Sequence, residues 1–247
     1  MIVMCAMLLI TNVWVPTPVY GMSFGGGSAT ILWDSLEITT SPGLTIVFDV
    51  YSTRANIQGT SPYLNKWEDN WSNDNYLMYQ AATSDYNLYG LAEARTQSSS
   101  NLYAESSVLS DSLSGSYNLK STAQWWVTFH VIGNGNMSVG IQYSLASSLV
   151  SDLGDEAYGW SLAYAQIMNY GSFPIASGQT QSHRETESIG SNLKNVGSYS
   201  NSLAGWLYTD INFIDGDYGA FNIWAQAGYW ASSPIQETPE PATMLLL

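Results

Sequence analysis

The stretch QWWVTFHVIGNGNMSVGIQYSL, residues 124–145, constrains the fold more than any other part of this chain. Trp125, Val127, Phe129 and Val131 alternate with Trp126, Thr128 and His130. Beyond residue 136, Met137, Val139, Ile141, Tyr143 and Leu145 alternate again. A period of two puts successive side chains on opposite faces of a β-strand, and a helix would scatter both sets around its axis. Between the runs, Gly133-Asn134-Gly135-Asn136 supplies residues that tolerate positive φ. The spacing predicts a β-hairpin. Trp125 and Trp126 must then point to opposite faces, so at most one of them faces a single core layer.

The same period recurs along the chain. In LAEARTQSSSNLYAES (91–106) one face is small or apolar and the other carries the charges, as in a half-buried strand. TILWDSLEITT and GLTIVFDVYST read as a strand pair joined at Ser41-Pro42-Gly43. Further strands are expected at GWLYTDINFI and GAFNIWAQAGYWAS, and at GWSLAYAQIMNY, whose alanines also suit a helix. Two stretches stand apart. Residues 61–80 are polar and aromatic, and residues 177–202 read as a long surface loop or a twisted edge hairpin. Many short strands, turns of Gly, Ser and Asn, and no sustained helical period predict an all-β, antiparallel β-sandwich. No repeat period is convincing, so one domain over residues 22–233 is expected.

Composition narrows the function classes. Charged residues make up only 11% of the 247 positions, and neutral hydrogen-bonding residues take their place, as suits an extracellular β protein. The net charge is −14, and Arg54, Lys66, Arg95, Lys120, Arg184 and Lys194 are scattered. No basic patch is visible, so nucleic acid is excluded as a partner, and divalent cations suit the charge better. Cys5 is the single cysteine and lies in the N-terminal apolar stretch, which rules out an internal disulfide framework and a cysteine-based zinc site.

The two ends read as addresses. Residues 1–21 resemble a secretory signal peptide: an apolar run too short to span a membrane, Pro16 and Pro18, then Val19-Tyr20-Gly21 as a cleavage site. The basic n-region is missing, which is read as a true start upstream of Met1; the competing reading is a buried N-terminal strand. At the other end, residues 234–247 form a linker and tail containing Pro239-Glu240-Pro241-Ala242-Thr243-Met244-Leu245. Prolines on both sides of Glu240 favour an extended, accessible segment. This tail resembles the PEP-CTERM sorting signal of Gram-negative bacteria, truncated after the motif. The resemblance implies processing by an exosortase, with Pro239, Glu240 and Pro241 as the sorting motif. It also implies delivery to the cell envelope or extracellular matrix, and a transient membrane association only if the full tail exists. The strand order of the second half is similar to the jelly-roll-like bodies found ahead of such tails.

Candidate chemistry is sparse. Gly21-Met22-Ser23-Phe24-Gly25 matches G-x-S-x-G, but that motif needs a strand before it and a helix after it, and a signal segment precedes this one. His130 and His183 are the only histidines, and nothing in their spacing supports a triad or a metal site. Asp215 and Asp217 flank Gly216, while Asp152 and Asp155 share a turn; both groups are compatible with a calcium role, and both also suit plain turn building. No other cofactor is expected. Exposed aromatics on a sandwich can stack on sugar rings, and Trp67, Trp71, Trp125, Trp126 and Trp160 are the candidates, against core packing as the competing explanation. The expectation is an exported surface or matrix protein without catalytic activity, associated with exopolysaccharide. The alternative is a secreted carbohydrate-binding module, aided by calcium.

Overall fold

The computed structural model describes residues 23–59, 66–72, 81–87, 90–96, 101–110, 115–151, 156–172, 181–193 and 196–233. Residues 1–21, read above as a signal peptide, residues 234–247 with Pro239, Glu240 and Pro241, and the calcium candidates Asp152 and Asp155 lie outside them. Every element among the described residues is a strand: β1 (Ser23–Thr40), β2 (Thr45–Gly59), β3 (Lys66–Ser72), β4 (Ala81–Asn87), β5 (Gly90–Thr96), β6 (Asn101–Ser110), β7 (Gly115–Ile132), β8 (Gly135–Ser151), β9 (Glu156–Ser172), β10 (Gln181–Leu193), β11 (Gly197–Phe213) and β12 (Asp217–Ser233). They form two six-stranded antiparallel sheets, β11-β8-β1-β6-β5-β4 (sheet A) and β10-β9-β12-β7-β2-β3 (sheet B), packed face to face. The expected all-β sandwich is the observed fold. Seven of the eleven connections cross from one sheet to the other, which is its jelly-roll-like character.

Those crossings correct the hairpin expectation. β7 pairs with β12 and β2, while β8 pairs with β1 and β11, so the two strands around Gly133 never bond to each other. They form an arch, one strand in each sheet. The same holds for β1 and β2 around Pro42. The alternation was read correctly, because Trp125, Val127, Phe129 and Val131 are buried against Met137, Val139, Ile141 and Tyr143 across the core. A hairpin and an arch bury the same alternate residues, so periodicity alone does not separate them. The glycines have another purpose. A Cβ on Gly133, at φ +86°, would stand 1.9 Å from the Gly43 carbonyl oxygen, and one on Gly135 would stand 2.1 Å from Ser41 Oγ. One arch nests against the other. The β11–β12 arch joins them: the Gly133 amide donates to Asp215 Oδ1 at 2.7 Å and the Asp215 amide to Asn134 Oδ1 at 2.7 Å.

Other expectations are refined. Residues 91–106 hold two strands, β5 and β6, paired so that Ala92, Ala94 and Thr96 stand opposite Ser106, Ala104 and Leu102. GWSLAYAQIMNY is strand, within β9. The described residues within 177–202 form neither a loop nor a hairpin. They supply β10 and the start of β11, edge strands of different sheets, joined where Thr209 Oγ1 donates to the His183 carbonyl at 3.0 Å.

Two apolar clusters fill the interior, a large one around Trp125, Phe129 and Phe221, and a small one around Tyr229, Ile57 and Leu119. Buried serines accompany the narrowing between the sheets. Ser121 Oγ donates to the Glu105 carbonyl (2.7 Å), Ser106 Oγ to that of Ala227 (3.1 Å), Ser147 Oγ to that of Gly159 (3.0 Å) and Ser161 Oγ to that of Ala146 (3.1 Å). Each of these bonds runs from one sheet to the other. Here the backbones themselves touch: a Cβ on Gly27 of β1 would meet the Trp160 carbonyl oxygen of β9 at 2.0 Å. The sandwich is pinched well below the usual spacing of about 10 Å.

Candidate functional site

The inward residues of β9 are Ala157, Ser161, Ala163, Ala165 and Ile167, all buried, so the alternate positions Tyr158, Trp160, Leu162, Tyr164 and Gln166 look outward. In β12 the same rule turns Asn222, Trp224, Gln226 and Trp230 outward, and in β7 it turns Lys120, Thr122, Gln124 and Trp126. Register then sets these residues side by side. Tyr164, Trp224, Gln124 and Arg54 form one row across β9, β12, β7 and β2, and Gln166, Asn222, Trp126 and Ser52 form the next. The outer face of sheet B is therefore a continuous surface of aromatic rings with carboxamides between them.

Local contacts hold the rings in place. Tyr164 and Trp224 stack with centroids 4.9 Å apart and planes 27° apart. Asn222 Oδ1 accepts from Trp224 Nε1 and, at 3.1 Å, from Gln124 Nε2, while the Tyr164 hydroxyl donates to Gln166 Oε1. The Trp160 indole lies flat over the neighbouring strand, because a Cβ on Gly228 would come within 2.3 Å of its ring. The Arg184 guanidinium sits 5.8 Å from the Tyr164 ring centroid. Burial raises the Tyr164 hydroxyl above its ordinary pKa, and Arg184 offsets part of that rise; burial alone raises Tyr170.

The five candidate tryptophans divide. Trp125 is 2% exposed and packs edge-on against Trp33 at 4.1 Å in the core, so its reading as a sugar-binding residue is corrected to core packing. Trp126 is 37% exposed and Trp160 half-buried, both on the outer face of sheet B. β3 places Trp67 opposite Asn56 and Trp71 opposite Ser52, register positions that belong to that face. Sequence reasoning missed Tyr164 and Trp224. Their outward parity on β9 and β12 was the available signal.

Of the acidic candidates, Asp215 and Asp217 lie among the described residues. Asp217 is 5% exposed, and its carboxylate accepts from the Ile214 amide (2.9 Å), Asn169 Nδ2 (2.9 Å) and Ser172 Oγ (3.3 Å). Asp215 caps Gly133. Both build the β11–β12 arch, and among the described residues no group of three or more His, Cys, Asp or Glu is placed to hold a metal ion. His130 Nδ1 lies 2.9 Å from Asp49 Oδ1 at one end of the aromatic face, and His183 Nδ1 lies 3.0 Å from the Asp210 carbonyl at the β10–β11 edge. Ser23 opens β1, so strand rather than helix follows the G-x-S-x-G match.

Sheet A carries a different surface. A bulge in β1, where register shifts between Leu32 and Glu37, opens a shallow cleft of about 490 Å³ lined by Asp34, Glu37, Gln142 and Trp206. On the same sheet Trp206 stacks on Tyr208, with ring centroids 5.4 Å apart. No protein-family model matches this chain, and no curated protein matches it either.

Proposed function

We propose that the protein is an exported, non-catalytic sandwich that holds extracellular polysaccharide on the outer face of sheet B. The observation that carries this reading is the row arrangement of Trp160, Tyr164, Trp224 and Trp126 with Gln124, Gln166 and Asn222 between them. Aromatic faces stack on the apolar faces of sugar rings, and carboxamides both donate to and accept from hydroxyls. Rings fixed by stacking and hydrogen bonds lose little freedom on binding. Export rests on the N-terminal segment and on the resemblance of the Pro239-Glu240-Pro241 tail to an exosortase substrate.

Glycoside hydrolysis needs two carboxylates within about 10 Å of each other. The described acids at positions of this face are Asp49, beside His130, Asp69 opposite Arg54, and Glu156. On β12 the row of His130 falls at Tyr218, that of Asp69 at Trp224 and that of Glu156 at Ser232. At 3.3 Å per residue the nearest two rows are about 20 Å apart, beyond the catalytic range.

A polysaccharide pull-down with intrinsic tryptophan fluorescence tests the reading. Trp160→Ala and Trp126→Ala should each weaken polysaccharide retention about tenfold while leaving the melting transition in place. Retention unchanged by both substitutions, or no polysaccharide retained by the wild type, overturns it.

A further inference from the structure

The basic residues, scattered in sequence, are not scattered in space. Arg54, Lys120 and Arg184 all stand on the outer face of sheet B. Of the other three, Arg95 belongs to sheet A, Lys66 opens β3, and Lys194 lies outside the described residues. Acids occupy both sheets: Asp34 and Glu37 line the sheet A cleft, Glu105 and Asp210 take outward positions of β6 and β11, and on sheet B Asp49, Glu156 and the register position of Asp69 lie at the ends and edge of the face. A chain of net charge −14 has thus placed half of its cations on the surface that carries its stacked rings.

Each ring plate has a cation beside it. Arg184 touches Tyr164 from the β10 side, and Arg54 shares the row of Trp224 two strands away, about 10 Å. Lys120 shares the row of Trp160, with only Gly228 between them in register. The Trp160 indole covers that glycine, which brings the ring towards the ammonium. Register sets Asp69 of β3 opposite Arg54, so Lys120 and Arg184 carry most of the argument. The described acids of this face stand at its ends and edge, so Lys120 and Arg184 are the charges nearest the rings.

We infer that the glycan held on sheet B is an acidic polysaccharide, one whose sugar rings stack on Trp160 and on the Tyr164–Trp224 pair while ring carboxylates meet Lys120 and Arg184. This inference rests on the glycan-binding reading and adds the ligand's chemical class. A nucleic acid would also offer rings and anions. It is disfavoured because three cations against a total charge of −14 suit a sparse row of carboxylates better than a phosphate on every unit.

Affinity electrophoresis with polygalacturonate, its fully methyl-esterified neutral form and single-stranded oligothymidylate tests the inference on the full chain. Polygalacturonate should bind about tenfold more tightly than the ester, from about threefold for each of two charge contacts. The double variant Lys120→Gln with Arg184→Gln should erase that preference, and Lys120→Arg should retain it. Equal binding of acid and ester, or a preference that survives the double variant, overturns the acidic class while leaving the glycan reading intact. Binding to neither polymer defeats both, and tighter binding of oligothymidylate than of polygalacturonate overturns the inference in favour of nucleic acid.

Discussion

Gly27→Ala is the sharpest test of the pinch between the sheets. The added Cβ would stand 2.0 Å from the Trp160 carbonyl oxygen and 2.8 Å from its carbonyl carbon, both backbone atoms of β9 that no rotamer change can move. β1 and β9 must separate by about 1 Å or more to restore a normal contact, in an interior packed like an organic crystal. That separation stretches the bonds from Ser147 Oγ to the Gly159 carbonyl (3.0 Å) and from Ser161 Oγ to the Ala146 carbonyl (3.1 Å) beyond hydrogen-bonding range. Losing two such bonds costs about 2 kcal/mol, and overpacking of the surrounding core adds about 1–3 kcal/mol. The sum, about 3–5 kcal/mol, is a large part of the roughly 5–15 kcal/mol that hold a domain folded. Thermal unfolding should fall by about 10 °C for a chain of this size, and the displaced Trp160 should weaken polysaccharide retention in parallel. Gly43→Ala is the control: its φ of +95° is strained for alanine, but no atom lies within 4 Å of the new Cβ, so it should cost only about 1–2 kcal/mol. If Gly27→Ala melts within a degree or two of wild type, the close approach of the sheets is wrong.

Trp125→Ala should destabilise the protein by about 3–5 kcal/mol in urea denaturation, because it empties the centre of the core, whereas Trp126→Ala should change stability by less than about 0.5 kcal/mol. Asp217→Ala should lower stability by about 2–3 kcal/mol, equally with calcium or EGTA present, since it strips partners from the Ile214 amide and the buried Asn169 side chain; a calcium-dependent difference would instead give the arch a metal role. Burial raises the hydroxyl pKa of Tyr143, Tyr164 and Tyr170, with Glu187 adding to the rise at Tyr143 and Arg184 opposing it at Tyr164. Raised folded values mean that the neutral phenols stabilise the fold fully below about pH 10 and that this contribution is lost as pH climbs through the folded values. Urea midpoints measured from pH 8 to 12 should therefore stay level and then fall, less steeply in Tyr164→Phe.

Much of the fold was legible because alternation reports burial directly. The opposite fates of Trp125 and Trp126 follow from their adjacency alone, and the inward parity of residues 127–131 and 137–145 was readable without coordinates. Pairing was not legible. Whether Gly133-Asn134 closes a hairpin or bends an arch depends on Gly43, some ninety residues earlier, fitting against it. The aromatic face was half legible for the same reason. Trp160 and Trp126 could be nominated singly, but their company with Tyr164, Trp224, Lys120 and Arg184 exists only through the register of β9, β12 and β7. Asp215 and Asp217 show the limit of composition: two carboxylates around a glycine suit calcium and arch capping alike, and the hydrogen bonds they make to the arch backbone appear only once the strands are in place.

The position of β12 has a consequence for how the molecule comes into being. This strand is the last described along the chain, yet it lies between β7 and β9, bonded to both along most of its length. Sheet B therefore cannot zip up from one end as it is synthesised; its halves wait, unjoined, until the final strand slides between them. Pairings of such long sequence separation assemble slowly, and a chain still lacking its keystone exposes sticky strand borders. If the protein is exported as proposed, that delay would keep the chain threadable through a translocation pore until β12 has emerged.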